Sequence, residues 1–410
     1  MEARDFTQTD EMRGLLNDLR EVRKDKTFSD VIDDEGNEYV DLVMEGGGVL
    51  GVALVGYTYV LEEMGLRFLR IGGTSAGSIN AVLAAGLGAP AQRKSGKIIE
   101  ELANVKFWNF VDGDSDAKDF VAALVRNPNV FQLSWKGMQV IDSLVWELGL
   151  NPGDEFLRWL SQLLEREGVG TSLDLQNRVA TIPQGLRTRD GEPVTIDTTR
   201  APLALVAADV STQTKVVFPE MAPLYWRDPG DVDPALYVRA SMSIPGFFSP
   251  LRVEGVPQGR EARDRWDKLA GYSEELPNVC TFVDGGIMSN FPIDLFHLQN
   301  RVPRAPTFGA KLGTDKRRTE KIDWPLSLGR AVFRSASHCL DYDFITRNPD
   351  YRRLVAYIDT GQHGWLDFDM REEDKVDLFV RGARSAANFL RGFDWAGYKQ
   401  IRQQKTMLYS

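Results

Sequence analysis

Ser75 is the residue whose neighbours best suit covalent chemistry. It lies in Gly73-Thr74-Ser75-Ala76-Gly77, a G-x-S-x-G run between an apolar stretch and a stretch of small residues. In that context the run predicts a sharp strand-to-helix turn that presents the hydroxyl as a nucleophile. The glycines tolerate the turn, and the N-terminus of the following helix offers N–H groups and positive potential to an oxyanion. A second glycine run, Gly46-Gly47-Gly48 within EGGGVLG, also follows an apolar stretch. Three consecutive glycines can expose N–H groups to an oxyanion in the same way. Gly46 through Gly51 also satisfy G-x-G-x-x-G, the start of a dinucleotide site. That reading needs a carboxylate about twenty positions on, at the end of the next strand. The next strand, LRFLRIGG, runs into the serine turn and carries none.

A serine nucleophile needs a base. Asp284 ends the apolar run VCTFV and opens Asp284-Gly285-Gly286, where the glycines let the chain turn behind the carboxylate. A turn-forming Asp-Gly pair is the plainer reading of those three residues. A Ser-His-Asp triad is the other catalytic option. His297 and His338 lie in helix-like contexts, whereas His363 lies in a loop after a late strand. The chain order Ser75, Asp284, His363 fits an α/β-hydrolase. Against it, Ser75 follows only the second strand, and the glycine run lies closer before the serine than that fold's oxyanion loop usually does.

These residues need a scaffold. Residues 39–44 (YVDLVM) and 66–71 read as strands, 52–64 as a buried helix, and 76–85 as a helix of small residues. This strand-turn-helix unit, repeated once, predicts a parallel sheet covered by helices. Further strands are expected at 203–208, 214–218, 279–283, 307–312 and 354–358, with helices at 326–340 and 372–393. The fold class is therefore α/β, with a mainly parallel central sheet of about six or seven strands and helices on both faces. Residues 9–24 have apolar positions at helical spacing (Met12, Leu15, Leu16, Leu19, Val22) and are expected to form an N-terminal helical extension within 1–38. Residues 91–200 form a helical insertion with amphipathic stretches at 135–148 and 156–164. Residues 255–277 are charged, punctuated by Gly and Pro, and read as an exposed loop. Residues 394–410 are left as a C-terminal tail.

Composition narrows the function classes. The chain has 410 residues with 43% hydrophobic and 26% charged, enough to bury a core. A net charge of −10 gives no general attraction for nucleic acid. Three His and two Cys at scattered positions are a poor supply of zinc ligands, so no metal is expected. Cys280 and Cys339 are expected to be reduced core thiols. No apolar run reaches the roughly 18 residues of a spanning helix. The N-terminal residues show no secretory signal pattern, which predicts a cytoplasmic protein, although signal-independent export leaves the same signature.

EGGGVLG, GTSAGS and DGG, in this order and context, resemble the patatin-like phospholipase family. The likeness extends to LALVAADVSTQTKVVF (203–218), VRASMSIPGFFSP (238–250), DGGIMSNFP (284–292) and the strand and helix of 357–393. It covers roughly residues 39–393, the insertion excepted. It implies Ser75 as nucleophile, Asp284 as its partner in a Ser-Asp dyad, and Gly46, Gly47 and Gly48 as the oxyanion loop. Gly51, Gly73, Gly77, Gly285 and Gly286 match supporting motif positions. The family often has Lys or Arg where this chain has Leu50, so a basic contact from that loop to a substrate phosphate is missing.

The activity this implies is phospholipase A-type acyl hydrolysis of membrane lipids through an acyl-enzyme, with no cofactor. Soluble esterase or thioesterase chemistry is the alternative on the same site. An Asp with an ordinary pKa near 3.9 is a weak base, which leaves most of the acceleration to positioning and the oxyanion hole. A lipid substrate wants an apolar groove and peripheral contact with a membrane. Phe247, Phe248, residues 108–110, Trp159, Leu160 and Leu163 are candidates for the groove, and Lys311, Lys316, Arg317, Arg318 and Lys321 for headgroup contact. The insertion or the N-terminal helix is expected to restrain the site, alone or with an unidentified regulatory ligand or partner.

Overall fold

The computed structural model describes residues 1–126, 148–194, 202–298, 301–313 and 344–409, with isolated positions at 322, 331 and 335. The helical patterns at 135–147 and 326–340, His338, Cys339 and the cations at 316–318 and 321 lie outside the described residues, Ala331 and Ser335 excepted.

Helices α1 (Ala3–Thr7) and α2 (Asp10–Lys24) precede strands β1 (Val31–Ile32) and β2 (Glu38–Met44). A 3₁₀ turn (Gly48–Gly51) leads into α3 (Val52–Glu63), β3 (Leu66–Thr74) and α4 (Ala76–Gly86). The insertion contributes α5 (Ser95–Asn104), α6 (Ser115–Arg126), β4 (Gly149–Asn151), α7 (Asp154–Arg166), α8 (Ser172–Val179) and β5 (Arg187–Thr188). Then come β6 (Leu203–Asp209), β7 (Thr214–Phe218), α9 (Ala235–Ser241), β8 (Gly246–Phe248), β9 (Leu251–Glu254), α10 (Arg260–Ala270) and β10 (Val279–Asp284). Strands β11 (Thr307–Leu312) and β12 (Val355–Ile358) and helices α11 (Glu372–Gly392) and α12 (Trp395–Tyr409) complete the order.

Five strands run parallel in the order β12-β11-β2-β3-β6. Strands β2 and β6 are buried at every position, which is why they read as nearly continuous apolar runs. The sheet is covered on both faces, as alternation along β11 shows. Phe308 meets Phe389 and Phe393 of the α11 region, whereas its neighbour Gly309 faces Phe291 and Ile293. Helix α4 lies against β3 and β6, and its small residues allow the close approach.

Among the described residues the sheet extends beyond the six or seven strands expected, to ten, because short antiparallel strands join its margins. One such margin brings the two motif ends together. Strand β7 pairs with residues 205–209 of β6 along one edge. Along the other edge, β3 pairs with residues 203–206 and β10, running the opposite way, pairs with residues 207–209. Strands β3 and β10 therefore meet head to head. Their last residues, Thr74 and Asp284, sit opposite successive residues of β6, Val206 and Ala207.

Three expectations change. The N-terminal residues are part of the main body: Thr9 caps α2, whose buried Met12, Leu16 and Leu19 join the main core, and β1 joins the sheet, pairing with β2 and with β5 of the insertion. The expected C-terminal tail is helix α12, held by buried Trp395 and Tyr398 and by the buried Arg402–Asp350 ion pair at 3.3 Å. The charged segment 255–277 contains α10, whose Ala262 and Trp266, one turn apart, are its only buried residues; Trp266 packs edge-on against Tyr225 at 5.2 Å. A stripe that narrow is hard to see among seven charged neighbours.

Candidate active site

Ser75 occupies the turn between β3 and α4 with φ 51° and ψ −119°. A non-glycine residue in such a conformation costs about 1–3 kcal/mol and needs its surroundings to hold it. The clearance around it comes from absent side chains. A Cβ on Gly77 would lie 2.2 Å from the Met44 carbonyl oxygen, and one on Gly73 would lie 2.5 Å from the Gly77 carbonyl carbon. Three bonds fasten the turn: Ser75 N–H donates to Ser241 Oγ at 2.8 Å, Thr74 Oγ1 donates to the Ser289 carbonyl at 2.8 Å, and Ser78 Oγ donates to the Ser75 carbonyl at 2.6 Å.

Asp284 reaches the same place from β10. Its side chain interacts with that of Ser75 and accepts a hydrogen bond from Gly286 N–H at 2.7 Å, and its own N–H donates to the Ser243 carbonyl at 2.8 Å. The residue is 3% exposed. Burial pushes its carboxyl up to about 6, against the interactions with the Ser75 side chain and Gly286 N–H that pull it back. The expectation of an ordinary, weakly basic Asp therefore gives way to a carboxylate of raised basicity. Gly285 lies over the meeting point of β3, β6 and β10, where a Cβ would fall 2.1 Å from the Val206 carbonyl oxygen.

The three glycines of the first motif play unequal parts. Gly46 N–H donates to the Asn290 carbonyl at 3.0 Å, and Asn290 Nδ2 returns a bond to the Gly46 carbonyl at 3.3 Å. Among the described residues, the N–H groups of Gly47 and Gly48 have no acceptor, and neither does that of Ala76. Gly48 has φ 56°, and a Cβ there would lie 2.1 Å from the Trp365 carbonyl oxygen, which accepts the Val49 N–H at 3.0 Å. Gly51, at the start of α3, lines the cavity described below. Beneath the loop, buried Glu45 accepts from Lys311 Nζ and from Leu312 N–H, both at 2.6 Å. Lys311 is thus committed inward, away from the surface role its position in a basic cluster suggested.

Ser75 lies in the lining of an apolar cavity that is open to solvent. Val52, Val55, Ile79 and Leu83 line it from α3 and α4, and Ile98 and Leu102 from α5. Phe107, Phe110, Phe156 and Trp159 of the insertion form another wall. Glu101 is the one charged residue among the described lining residues, and it is paired with Arg166 of α7 at 3.0 Å. Met242, Ile244, Phe248 and Phe368 complete the lining near Ser75. Of the expected groove residues, Phe110, Trp159 and Phe248 line the cavity, while Phe247 stacks on Phe368 at 4.9 Å and Leu160 and Leu163 are core.

The two described histidines, His297 and His363, have their partners elsewhere. His363 Nε2 is 2.8 Å from Asp377 Oδ2 on α11, and Asp374 is its second carboxylate neighbour at 4.0 Å. His297 lies in a turn region rather than a helix, 2.5 Å from the Tyr351 hydroxyl, and burial lowers its pKa to about 4. The dinucleotide reading meets a mainly apolar cavity, and Glu45, next to the glycine loop, is paired with Lys311. Among the described residues no cluster of His, Cys, Asp or Glu is arranged to hold a metal, and no helix is long and apolar enough to cross a membrane.

A sequence model of the patatin-like phospholipase family matches residues 42–297, more than half of the chain. The chain is 28% identical over 355 residues to the uncharacterized protein YqhO of Bacillus subtilis, covering 86% of this chain and 98% of that one. Among solved structures it is similar to VipD from Legionella pneumophila, with a TM-score of 0.40 and 15% identity over 90% of this chain and 72% of that one. It is also similar to the ExoU–SpcU complex of the Pseudomonas aeruginosa type III secretion system, with a TM-score of 0.29 and 17% identity over 90% and 52% of the respective chains.

Proposed function

We propose that this chain, which belongs to the patatin-like phospholipase family and is a lipid hydrolase of that kind, cleaves the acyl ester bonds of membrane phospholipids through a Ser75–Asp284 dyad. The observation that carries this reading is that Ser75, on a strained strand-to-helix turn, and buried Asp284, at the facing end of β10, converge at the head of an apolar cavity.

In the first step Asp284 accepts the Ser75 hydroxyl proton as Oγ attacks the ester carbonyl carbon. A base with a pKa of about 6 takes that proton more readily than an ordinary carboxylate and is still largely ionised at neutral pH. The developing oxyanion is met by the N–H groups of Gly47 and Gly48, with that of Ala76 at the α4 N-terminus. Gly46, whose N–H is already bonded to Asn290, holds the loop in place instead of contributing to the hole. Collapse of the tetrahedral intermediate breaks the ester C–O bond. Asp284 returns its proton to the departing alcohol, the lysolipid. Water then attacks the acyl-enzyme, Asp284 again taking the proton, and as the second tetrahedral intermediate collapses Asp284 returns that proton to Ser75 Oγ and the fatty acid leaves. The apolar cavity takes the acyl chain, and the ester stays at its mouth beside Ser75.

The test is hydrolysis of fluorogenic phospholipid vesicles and of a short-chain ester by wild type, Ser75→Ala and Asp284→Asn. Ser75→Ala is expected to lose roughly 10³-fold or more, and Asp284→Asn about 10²- to 10⁴-fold. An Asp284→Asn enzyme that stays active while His363→Ala is dead would replace the dyad with a triad. Turnover of the short ester alone would point to a soluble esterase.

A further inference from the structure

Resting on the Ser75–Asp284 reading above, we propose that Ser241 is a positioning residue for the reaction. Its hydroxyl holds the nucleophile's strained backbone in place. Ser241 is fully buried at the end of α9. A serine there ordinarily turns its hydroxyl back onto a carbonyl of its own helix. Ser243, two residues on, does so, donating to the Arg239 carbonyl at 2.7 Å. Ser241 turns away from its helix. Its Oγ accepts Ser75 N–H at 2.8 Å and donates to the Val206 carbonyl at 2.6 Å. Val206 is the β6 residue opposite Thr74, next to the one opposite Asp284. The hydroxyl therefore ties the Ser75 turn to the point where β3 and β10 meet.

The same turn also holds the other member of the pair. The Ser243 carbonyl accepts Asp284 N–H at 2.8 Å. Buried Arg239 braces the turn from below, donating to Ser243 Oγ at 2.5 Å and to the Ser249 carbonyl at 2.7 Å. Residues 239–243 thus set Ser75 and Asp284 against each other from one short segment. Without the Ser241 hydroxyl, Ser75 N–H would be buried without its acceptor, the Val206 carbonyl would lose a donor, and a positive-φ serine would lose the bond that opposes its relaxation. The Ser75 Oγ would then drift from Asp284, while the cavity that binds the acyl chain would remain.

The experiment measures the labelling rate by a fluorophosphonate together with kcat and KM on phospholipid vesicles. The proteins are wild type, Ser75→Ala, Ser241→Ala and Ser241→Thr, with kcat expressed per labelled site. Ser241→Ala is expected to label about 10- to 100-fold more slowly and to lose kcat by the same factor, with KM within about twofold. Ser241→Thr, which keeps the hydroxyl, should recover most of the rate. A purely structural serine would lower the melting temperature and leave the per-site rates alone. A wild-type labelling rate in Ser241→Ala overturns the proposal. If Ser241→Ala does not fold, Ser241→Cys, whose sulfur accepts weakly, serves for the same comparison. Wild type that resists the label, or Ser75→Ala that takes it up equally, overturns the dyad reading and this proposal with it.

Discussion

The centre of the sheet and the wall of the cavity are held by different means. At the centre, the contacts that matter are backbone to backbone. Gly77 abuts the Met44 carbonyl, Gly285 the Val206 carbonyl, and Gly48 the Trp365 carbonyl, each at a distance that excludes a side chain. The wall, built by the insertion, is held by ring against ring: Phe110 meets Phe156 at 5.3 Å and Trp159 at 5.4 Å. Backbone contacts of this kind accept one residue type, whereas an aromatic cluster accepts many of similar volume. The first region therefore leaves motifs in the sequence, and the second leaves only hydrophobicity.

If that difference is real, changes at the centre should cost rate and changes in the wall should alter chain preference. Gly48→Ala should have the largest effect, because it puts a side chain onto the Trp365 carbonyl at a residue with φ 56°. Loss of roughly 10²-fold or more in kcat is expected on both vesicle lipid and short ester. Wild-type kcat would remove the loop from the reaction centre. The pH profile comes next. Asp284 must be ionised to act as base and titrates at about 6, so kcat/KM should fall about tenfold per unit below that pH and level off above it. A profile flat from pH 5 to 7 would show that Asp284 is not the base.

In the wall, Phe110→Leu should raise KM for long-chain lipid a few-fold while kcat on a short ester stays within about twofold. Equal losses on both substrates would show that the wall and the centre are not separate. The smallest effect concerns stability. The Asp284 carboxyl titrates higher in the folded chain, at about 6, than its usual 3.8. The stability this contributes is fully present below the unfolded value and lost as pH rises through 6, where a buried carboxylate must ionise. Asp284→Asn carries no such charge. Its melting temperature should exceed that of wild type at pH 8, with the gain fading toward pH 4. A lower melting temperature at pH 8 would mean that the interactions with Ser75 and Gly286 outweigh burial.

By itself, the sequence determined the α/β class, the strands carrying the two glycine turns and the Asp284 end of β10. In each case either continuous apolar burial or a backbone conformation leaves a mark on residue type. It did not reveal α10, whose buried stripe is two residues wide, or the helical C-terminus, whose anchoring depends on the distant Asp350. Nor did it reveal Ser241, the inward pairing of Lys311 or the unequal roles of Gly46, Gly47 and Gly48. Only the tertiary structure decided these, because each depends on which groups from remote segments are nearby. Of three similar glycines, one meets the Asn290 carbonyl and two do not; of two serines in one turn, one reaches Ser75. The raised basicity of Asp284 belongs to the same class. A carboxylate's pKa follows from its burial and its hydrogen-bond partners, and those exist only once the chain has closed around it.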